Sequence, residues 1–567
     1  MKKKSTFAVV PLLAAIAGVQ CVAQPSDAPQ PLVPPASLYQ PLGADWASYA
    51  GDYTNQRFSR LTQIDRNTVK QLTLAWVTRV NAAVPGLNAG APAPRPGGTP
   101  VIIGGEGKGD FPVGAASMKG TVLEANGILY ATSPDHAWAI DGRDGRELWH
   151  YYWKTRGGTH LTSRGSAIWN DTFLFLTPDN YLVALEARSG KELWHVPIAD
   201  FNQQYFTTSA PVVIGDHVLV GTGNDSDAPG FLQSYDPRTG KRNWIFYAVP
   251  MNPGDPGLDT WPSLDAARHG GGHTWIPGAY DPETDLYIMG TANPSPAYTG
   301  VARPGDNLFT CSLVAVKVST GKMAWYYQTS PHDTHDWDSA QPPILFDAVI
   351  DGKPRKLVST AARNGYFFTL DRVTGELITS RQFGKTTNWA KGLRKTGQPE
   401  RDPLKDAQVA GALVSPTEDG VVNQYPPAFN PDLGLFYVGE SNGFNLLYLT
   451  DPDPRGSMGL GGKRRAVFGF ESNAIQAIDP LTGKAKWRHE WPHGGSQSTG
   501  GLLATKTGLL FAGDGNGNFV ALDGANGEPL WHTRIGNIDK APQTYEIDGR
   551  QYVLVGVGDT LYSFVLY

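Results

Sequence analysis

The sequence predicts an all-β fold, an eight-bladed β-propeller, from three observations. A corner of the form Asp-x-x-x-Gly-x-x-x-Trp recurs along the chain. A further pair of apolar strands precedes each corner, and the two chain ends supply complementary parts of one more such unit. The composition agrees. The 66 Gly and 44 Pro are spread along the 567 residues, as many short strands and tight turns require. With 18% charged and 40% hydrophobic residues the chain has the makings of a packed core.

In chain order, residues 1–23 read as a secretory signal peptide. Lys2, Lys3 and Lys4 form a basic start, Phe7 to Val19 an apolar stretch, and cleavage is expected after Ala23. The propeller is expected to span 24–567. Its corners are AIDGRDGRELW (ending at Trp149), ALEARSGKELW (Trp194), SYDPRTGKRNW (Trp244), AVKVSTGKMAW (Trp325), TLDRVTGELIT (Thr379), AIDPLTGKAKW (Trp487) and ALDGANGEPLW (Trp531). In each, the Gly supplies the positive φ of the turn and the Trp is expected to dock between adjacent sheets. The stretch SAPVVIGDHVLVGTG exemplifies the strand pair before a corner. The eighth blade is assembled from QLTLAWVTRV near the start and YVLVGVGDTLYSFVLY at the end, which closes the ring and hides the sheet edges. The long intervals Trp244–Trp325 and Thr379–Trp487 are read as insertions, the latter around 381–412 and 450–470.

After the second strand of successive blades comes a polar turn: TSPDH, TPDN, GTGND, GTANP, AARNG, GESNG, GDGNG and GVGDT. In a propeller these turns face one end of the central channel, so Asp225, Asn293 and Arg363 are expected to converge. The 48 basic and 53 acidic residues give a net charge of -5, with no dense Lys/Arg block beyond the N-terminus. That disfavours a nucleic-acid or anionic-membrane partner. No segment after the signal is apolar enough to span a bilayer. Once Cys21 leaves, Cys311 is the only cysteine, and there is no Cys-x-x-Cys-His for covalent haem attachment.

The motifs GGGHTWIPGAYDPETDLYIMGTANPSP, RPGDNLFTCSLVAV, PHDTHDWDSAQPPILFD and ARNGYFFTLDRVTGEL occur in that order. On them the chain resembles the pyrroloquinoline quinone (PQQ)-dependent alcohol dehydrogenases of the methanol and ethanol dehydrogenase type, without a haem domain. The resemblance runs from WASYAGDYTNQRFSRLTQI to the last strand. It implies PQQ stacked on Trp275, a flat aromatic surface suited to a quinone. Gly270, Gly271 and Gly272 are read as allowing a flat ligand to approach closely. Arg164 matches the PQQ-carboxylate arginine, Thr222 and one of Thr207 or Thr208 match hydroxyl contacts, and Asn423 an amide contact. Asp225, Asn293 and Asp336 match the metal ligands, all hard oxygen donors for calcium or a lanthanide. Asp336 would also be the general base, and Arg363 would bind the quinone oxygen.

Three positions depart from the family pattern. Asp225 stands where many members carry Glu, so the metal sits closer, Asp227 assists or water fills the gap. Gly158 and Thr159 replace a vicinal cysteine pair, and Lys119 stands where a Glu is common. Asp338 is a further carboxylate that the resemblance associates with lanthanide use. The implied protein is a periplasmic or secreted dehydrogenase that oxidises an alcohol and passes electrons to a soluble cytochrome c. Homodimer formation is compatible with this. The alternatives are a PQQ-dependent sugar or polyol dehydrogenase, whose site would be nearly the same, and a non-catalytic propeller scaffold, which predicts loss of the convergent polar residues.

Overall fold

Seven of the sheets turn the same corner in the same way. In each, the Gly N–H donates to the carbonyl of the residue four positions earlier, as from Gly190 to Glu186 at 2.8 Å and from Gly375 to Asp371 at 2.8 Å. The Gly φ values run from +65° at Gly483 to +78° at Gly527, the left-handed region expected for them. A register shift falls at the same place in all seven, for example between Ala184 and Leu185.

The glycines have a second reason to be glycines. A Cβ at Gly190 would lie 2.8 Å from the Trp149 ring, one at Gly321 2.6 Å from Trp244, and one at Gly375 2.9 Å from Trp325. The Trp of one corner therefore lies against the Gly of the next. Its indole N–H donates to a carbonyl just after that next corner begins: Trp149 to Ala187 at 2.9 Å, Trp244 to Val318 at 2.8 Å, Trp325 to Arg372 at 3.1 Å. Where the fifth copy has Thr379, the hydroxyl donates to Leu481 O at 2.6 Å instead.

The structure is a computed structural model that describes Met1 and residues 30–84, 98–109, 118–223, 225–339, 341–456, 458–491 and 500–567. The expected signal peptide beyond Met1, with Cys21 and the cleavage position, lies outside the described residues. All the sheets belong to the unit Leu32–Tyr567; the other unit, Met1–Pro31, contributes only Met1, Gln30 and Pro31 to the described residues.

Among the described residues there are eight sheets of four or five strands and one two-stranded ribbon. Among the described residues the one α-helix is Leu264–Arg268, and no helix is long and apolar enough to cross a membrane. The fold is all-β. A representative sheet consists of Ser166–Trp169, Thr172–Leu176, Tyr181–Glu186 and Glu192–Pro197, each antiparallel to the next. Its middle strands are buried and its last strand is largely half-exposed, so alternating apolar residues pack against neighbouring sheets. The two chain ends share one sheet: Thr73–Arg79 pairs antiparallel with Thr560–Val565.

One expected turn does not form. GESNG lies inside a continuous strand, Leu435–Leu449, which pairs with Gly462–Asp479 through Glu440–Ala474 and Asn442–Ser472. The alternating Phe444, Leu446 and Tyr448 extend the strand past the turn-forming Asn442–Gly443, which becomes a bulge. The ribbon ends in a loop, part of the insertion read at 450–470. Within that loop Gly456 N donates to Asp227 Oδ2 at 2.7 Å and Met458 N to Asp225 O at 2.8 Å, and Leu460 O accepts from Tyr298 N at 2.8 Å.

Candidate active site

Loops from separate sheets carry the convergent residues. Asp225 follows the strand His217–Gly221, Asn293 follows Leu286–Gly290, and Arg363 follows Lys353–Ala361. Asp336 and Asp338 lie on the segment after Met323–Gln328. Asp225 and Asp336 have φ of 59° and 64°, a left-handed conformation that Asp tolerates better than most residues and that concentrates at functional sites.

Asp338 is the hub of the cluster and is fully buried. Its Oδ1 accepts the Asn293 backbone N–H at 2.6 Å, and its Oδ2 accepts Trp275 Nε1 at 3.0 Å and Arg363 Nη1 at 2.8 Å. Arg363 also reaches Asp336 Oδ2 at 3.4 Å and Glu418 O at 2.6 Å. The Asp225 carboxylate hydrogen-bonds the Asn293 side chain. Asp225, Asn293, Asp336, Asp338, Arg363 and Trp275 are thus brought together, as expected.

The cluster holds more negative charge than Arg363 neutralises. Burial, with Asp338 adding repulsion, pushes the Asp225 carboxyl up to about 7. Burial also holds Asp336 well above the usual carboxylate range, although Arg363 opposes the shift. Asp338 is raised too, by burial, again against Arg363. For Arg363, burial opposes the charge, but Asp336 and Asp338 outweigh it and raise the guanidinium further.

Asn293 Oδ1 and Asp336 Oδ1 are buried acceptors without a hydrogen-bond partner. Buried oxygen donors beside uncompensated carboxylates fit a hard cation, which would satisfy both the lone pairs and the charge. Among the described residues no group of three or more His, Cys, Asp or Glu side chains has metal-binding geometry. Asp338 directs its oxygens to Trp275, Asn293 N and Arg363, with one Oδ1 lone pair left over. Asp227 is committed elsewhere: its carboxylate accepts from Gly456 N, and its Oδ1 lies 3.0 Å from His269 Nδ1.

Trp275 is buried, and the Arg164 guanidinium lies 4.2 Å from its ring centroid. Arg164 donates to Thr208 O at 3.1 Å and Gln424 Oε1 at 2.7 Å, while its Nε is buried without a partner. Desolvation lowers the guanidinium to about 10. A buried, under-satisfied guanidinium beside an indole face fits a flat anionic ligand.

The other expected contacts are engaged within the protein. The Thr222 hydroxyl pairs with His273 Nδ1 at 2.8 Å, and the Thr207 hydroxyl donates to Thr177 O. Asn423 Nδ2 donates to Asp419 O at 3.1 Å. The glycine run is a correction. A Cβ at Gly270 would meet the Trp261 ring at 2.5 Å, one at Gly271 the Asn293 carbonyl at 2.8 Å, and one at Gly272 the Ala248 Cβ at 3.3 Å. The run lets protein elements approach one another closely, not a ligand.

Sequence reasoning missed Glu418. Its carboxylate accepts from the Tyr298 hydroxyl and pairs with Arg464, and its charge raises Asp225 and Asp336. The acidic pair Glu418-Asp419 just ahead of Asn423 was the available signal.

The fold and cluster define a class: an all-β chain with buried oxygen donors grouped around an arginine and an indole. The family described as "Glucose/ethanol/alcohol dehydrogenase, beta-propeller domain" matches residues 46–382, and that described as "Outer membrane protein assembly factor BamB" matches 471–564. The quinohemoprotein alcohol dehydrogenase ADH IIB of Pseudomonas putida is 33% identical, over 91% of this chain and 74% of its own. Quinoprotein alcohol dehydrogenase PedH of Pseudomonas putida is 31% identical, over 89% of this chain and 84% of its own. Among solved structures, the quinohemoprotein alcohol dehydrogenase of Comamonas testosteroni superposes with a TM-score of 0.80 at 30% identity, covering 94% of this chain and 82% of its own. A europium-containing methanol dehydrogenase does so with 0.79 at 27%, covering 94% and 99%. The chain belongs to the family of PQQ-dependent alcohol dehydrogenases.

Proposed function

We propose that the chain oxidises an alcohol to the aldehyde or ketone with PQQ and a calcium or lanthanide ion. The observation that carries this reading is the pair of partnerless buried acceptors, Asn293 Oδ1 and Asp336 Oδ1, grouped with Asp225 around Arg363 and Trp275. Asp225, Asn293 and Asp336 would hold the cation, and the spare Asp338 Oδ1 lone pair is the fourth donor a lanthanide would recruit. Trp275 would stack on the cofactor, Arg164 would bind its carboxylate, and Thr208, together with Thr207, Thr222 and Asn423 turned out of their internal hydrogen bonds, would line it. When bound, PQQ would supply a hydride acceptor for the alcohol carbon, and the cation held by Asp225, Asn293 and Asp336 would supply a Lewis acid.

The chain's own residues supply the rest. Asp336 would take the hydroxyl proton. Arg363 donates to the oxygen on which negative charge develops and is held in place by Asp338 and the Glu418 carbonyl. Asp338 fixes the plane of Trp275 through the indole N–H. The eight sheets are read as eight blades of one ring over 24–567, closed where the chain ends pair and locked by tryptophan docking. The protein is read as periplasmic or secreted, handing electrons to a soluble cytochrome c.

The test is reconstitution of the purified chain with PQQ plus calcium, or plus a light lanthanide, followed by dye reduction with alcohols, sugars and polyols. Alcohol-dependent turnover with one of the two ions is expected. No turnover with either ion contradicts the reading, and turnover on sugars or polyols alone moves it to the neighbouring substrate class.

A further inference from the structure

The site is electrically lopsided. Asp225, Asp336, Asp338 and Glu418 interact electrostatically around Arg363, whereas Arg164 also lines a small cavity of different character. Tyr49, Lys119, Thr121, Arg164, Gln424 and Asp539 are among its lining residues. Among the described residues Asp539 is the only carboxylate in that lining, and its Oδ1 already accepts Lys540 Nζ at 3.0 Å. Among the described lining residues, Lys119 and Arg164 therefore share the cavity with one carboxylate that is already engaged. Both cations act on His160, where burial first and then Arg164 and Lys119 depress the imidazole. The partnerless buried Arg164 Nε lies on the same residue that caps the Trp275 ring.

We propose that Lys119 is a second cationic anchor for the carboxylates of the cofactor, working beside Arg164 in the lining of this cavity. The inference rests on the PQQ reading above and adds a residue to it. Lys119 is exposed and lacks an ion-pair partner among the described residues, so its ammonium can turn to a carboxylate at small desolvation cost. A planar ligand with a chelating quinone edge and a polyanionic rim would then be oriented by charge alone. Its metal-binding edge would go to the aspartates, and its rim to Lys119 and Arg164.

The test is equilibrium binding of PQQ to the calcium-loaded, PQQ-depleted full chain, by calorimetry. Lys119→Gln is expected to weaken binding about fivefold to tenfold, the range of one partly exposed charge-assisted contact. Lys119→Glu should weaken it further, and Lys119→Arg should restore it. The salt dependence of Kd should also be shallower in Lys119→Gln than in the unaltered protein. With PQQ trimethyl ester, which has no rim charge, Lys119→Gln and the unaltered protein should bind alike.

Equal PQQ binding by Lys119→Gln and the unaltered chain overturns the inference and leaves the PQQ reading standing. A deficit of Lys119→Gln that persists with the ester also overturns it, since the effect would then not be electrostatic. If the unaltered chain binds no PQQ, both readings fall.

Discussion

At a corner such as Gly190–Trp149, the backbone turn is closed, the indole N–H is satisfied and the Cβ-less Gly accepts the ring. Around Arg363 the opposite holds: carboxylates crowd one another, acceptors lack donors, and Asp225 and Asp336 sit in left-handed backbone. The closed turn recurs seven times and the ring-against-glycine contact at six of the seven, and together they supply rigidity. The second occurs once and is tolerable because the first holds it. The framework satisfies its own groups, whereas the cluster keeps buried charges and acceptors that the fold alone does not satisfy, as the proposed cation and cofactor would require.

The largest expected effect lies in the site. Asp336→Asn should lower kcat of the reconstituted enzyme by about a thousandfold, the usual range for loss of a general base. The same change should raise the stability of the cofactor-free protein by about 1–2 kcal/mol in urea titration, because it removes a buried repulsive charge. Loss of both activity and stability would break the contrast.

At the corners the sign reverses. Trp149→Ala should cost about 3–5 kcal/mol of stability and leave turnover per folded molecule close to unaltered. Thermal unfolding and active-site titration together check this.

A third place tests whether strain is confined to the site. Glu124, where the N-terminal segment meets the first sheet, is fully buried and pushed up to about 8 by burial first and then by Asp45, with which it shares a hydrogen bond. Because its folded value lies above the usual 4.5, its contribution is complete below about pH 4.5 and is lost as pH rises through 8. Unfolding free energy should therefore fall by about 1–3 kcal/mol between pH 5 and 9. Glu124→Gln should flatten that slope; an unchanged slope would remove Glu124 as its source.

The smallest effect is at a corner glycine. Gly190→Ala should cost about 1–3 kcal/mol, from the left-handed φ and the ring contact together. Part of that cost should be recovered in the Trp149→Ala background, a coupling that a double-mutant cycle measures.

The corners were legible in the sequence because their geometry is local: a Gly at the positive φ, an acidic or polar residue four positions before it, a Trp four after. What lay beyond local signals was harder to see. The Asn442–Gly443 pair reads as a turn, yet pairing across the long ribbon to Gly462–Asp479 overrides it. The Gly270–Gly272 run reads as ligand clearance, yet the neighbours are Trp261, Asn293 and Ala248. The residues grouped at the site came from family motifs rather than from any periodicity. Glu418 escaped because its role depends on Tyr298 and Arg464, which are distant in sequence and meet it only in the fold.

The most direct measurement is a crystal structure of the PQQ-loaded protein soaked with a lanthanide, with the ion located by anomalous scattering. The prediction is one ion about 2.3–2.6 Å from both Asn293 Oδ1 and Asp336 Oδ1, with Asp225 among its ligands and PQQ against Trp275. An ion bound elsewhere, or bound PQQ with those two oxygens still without a partner, would contradict it.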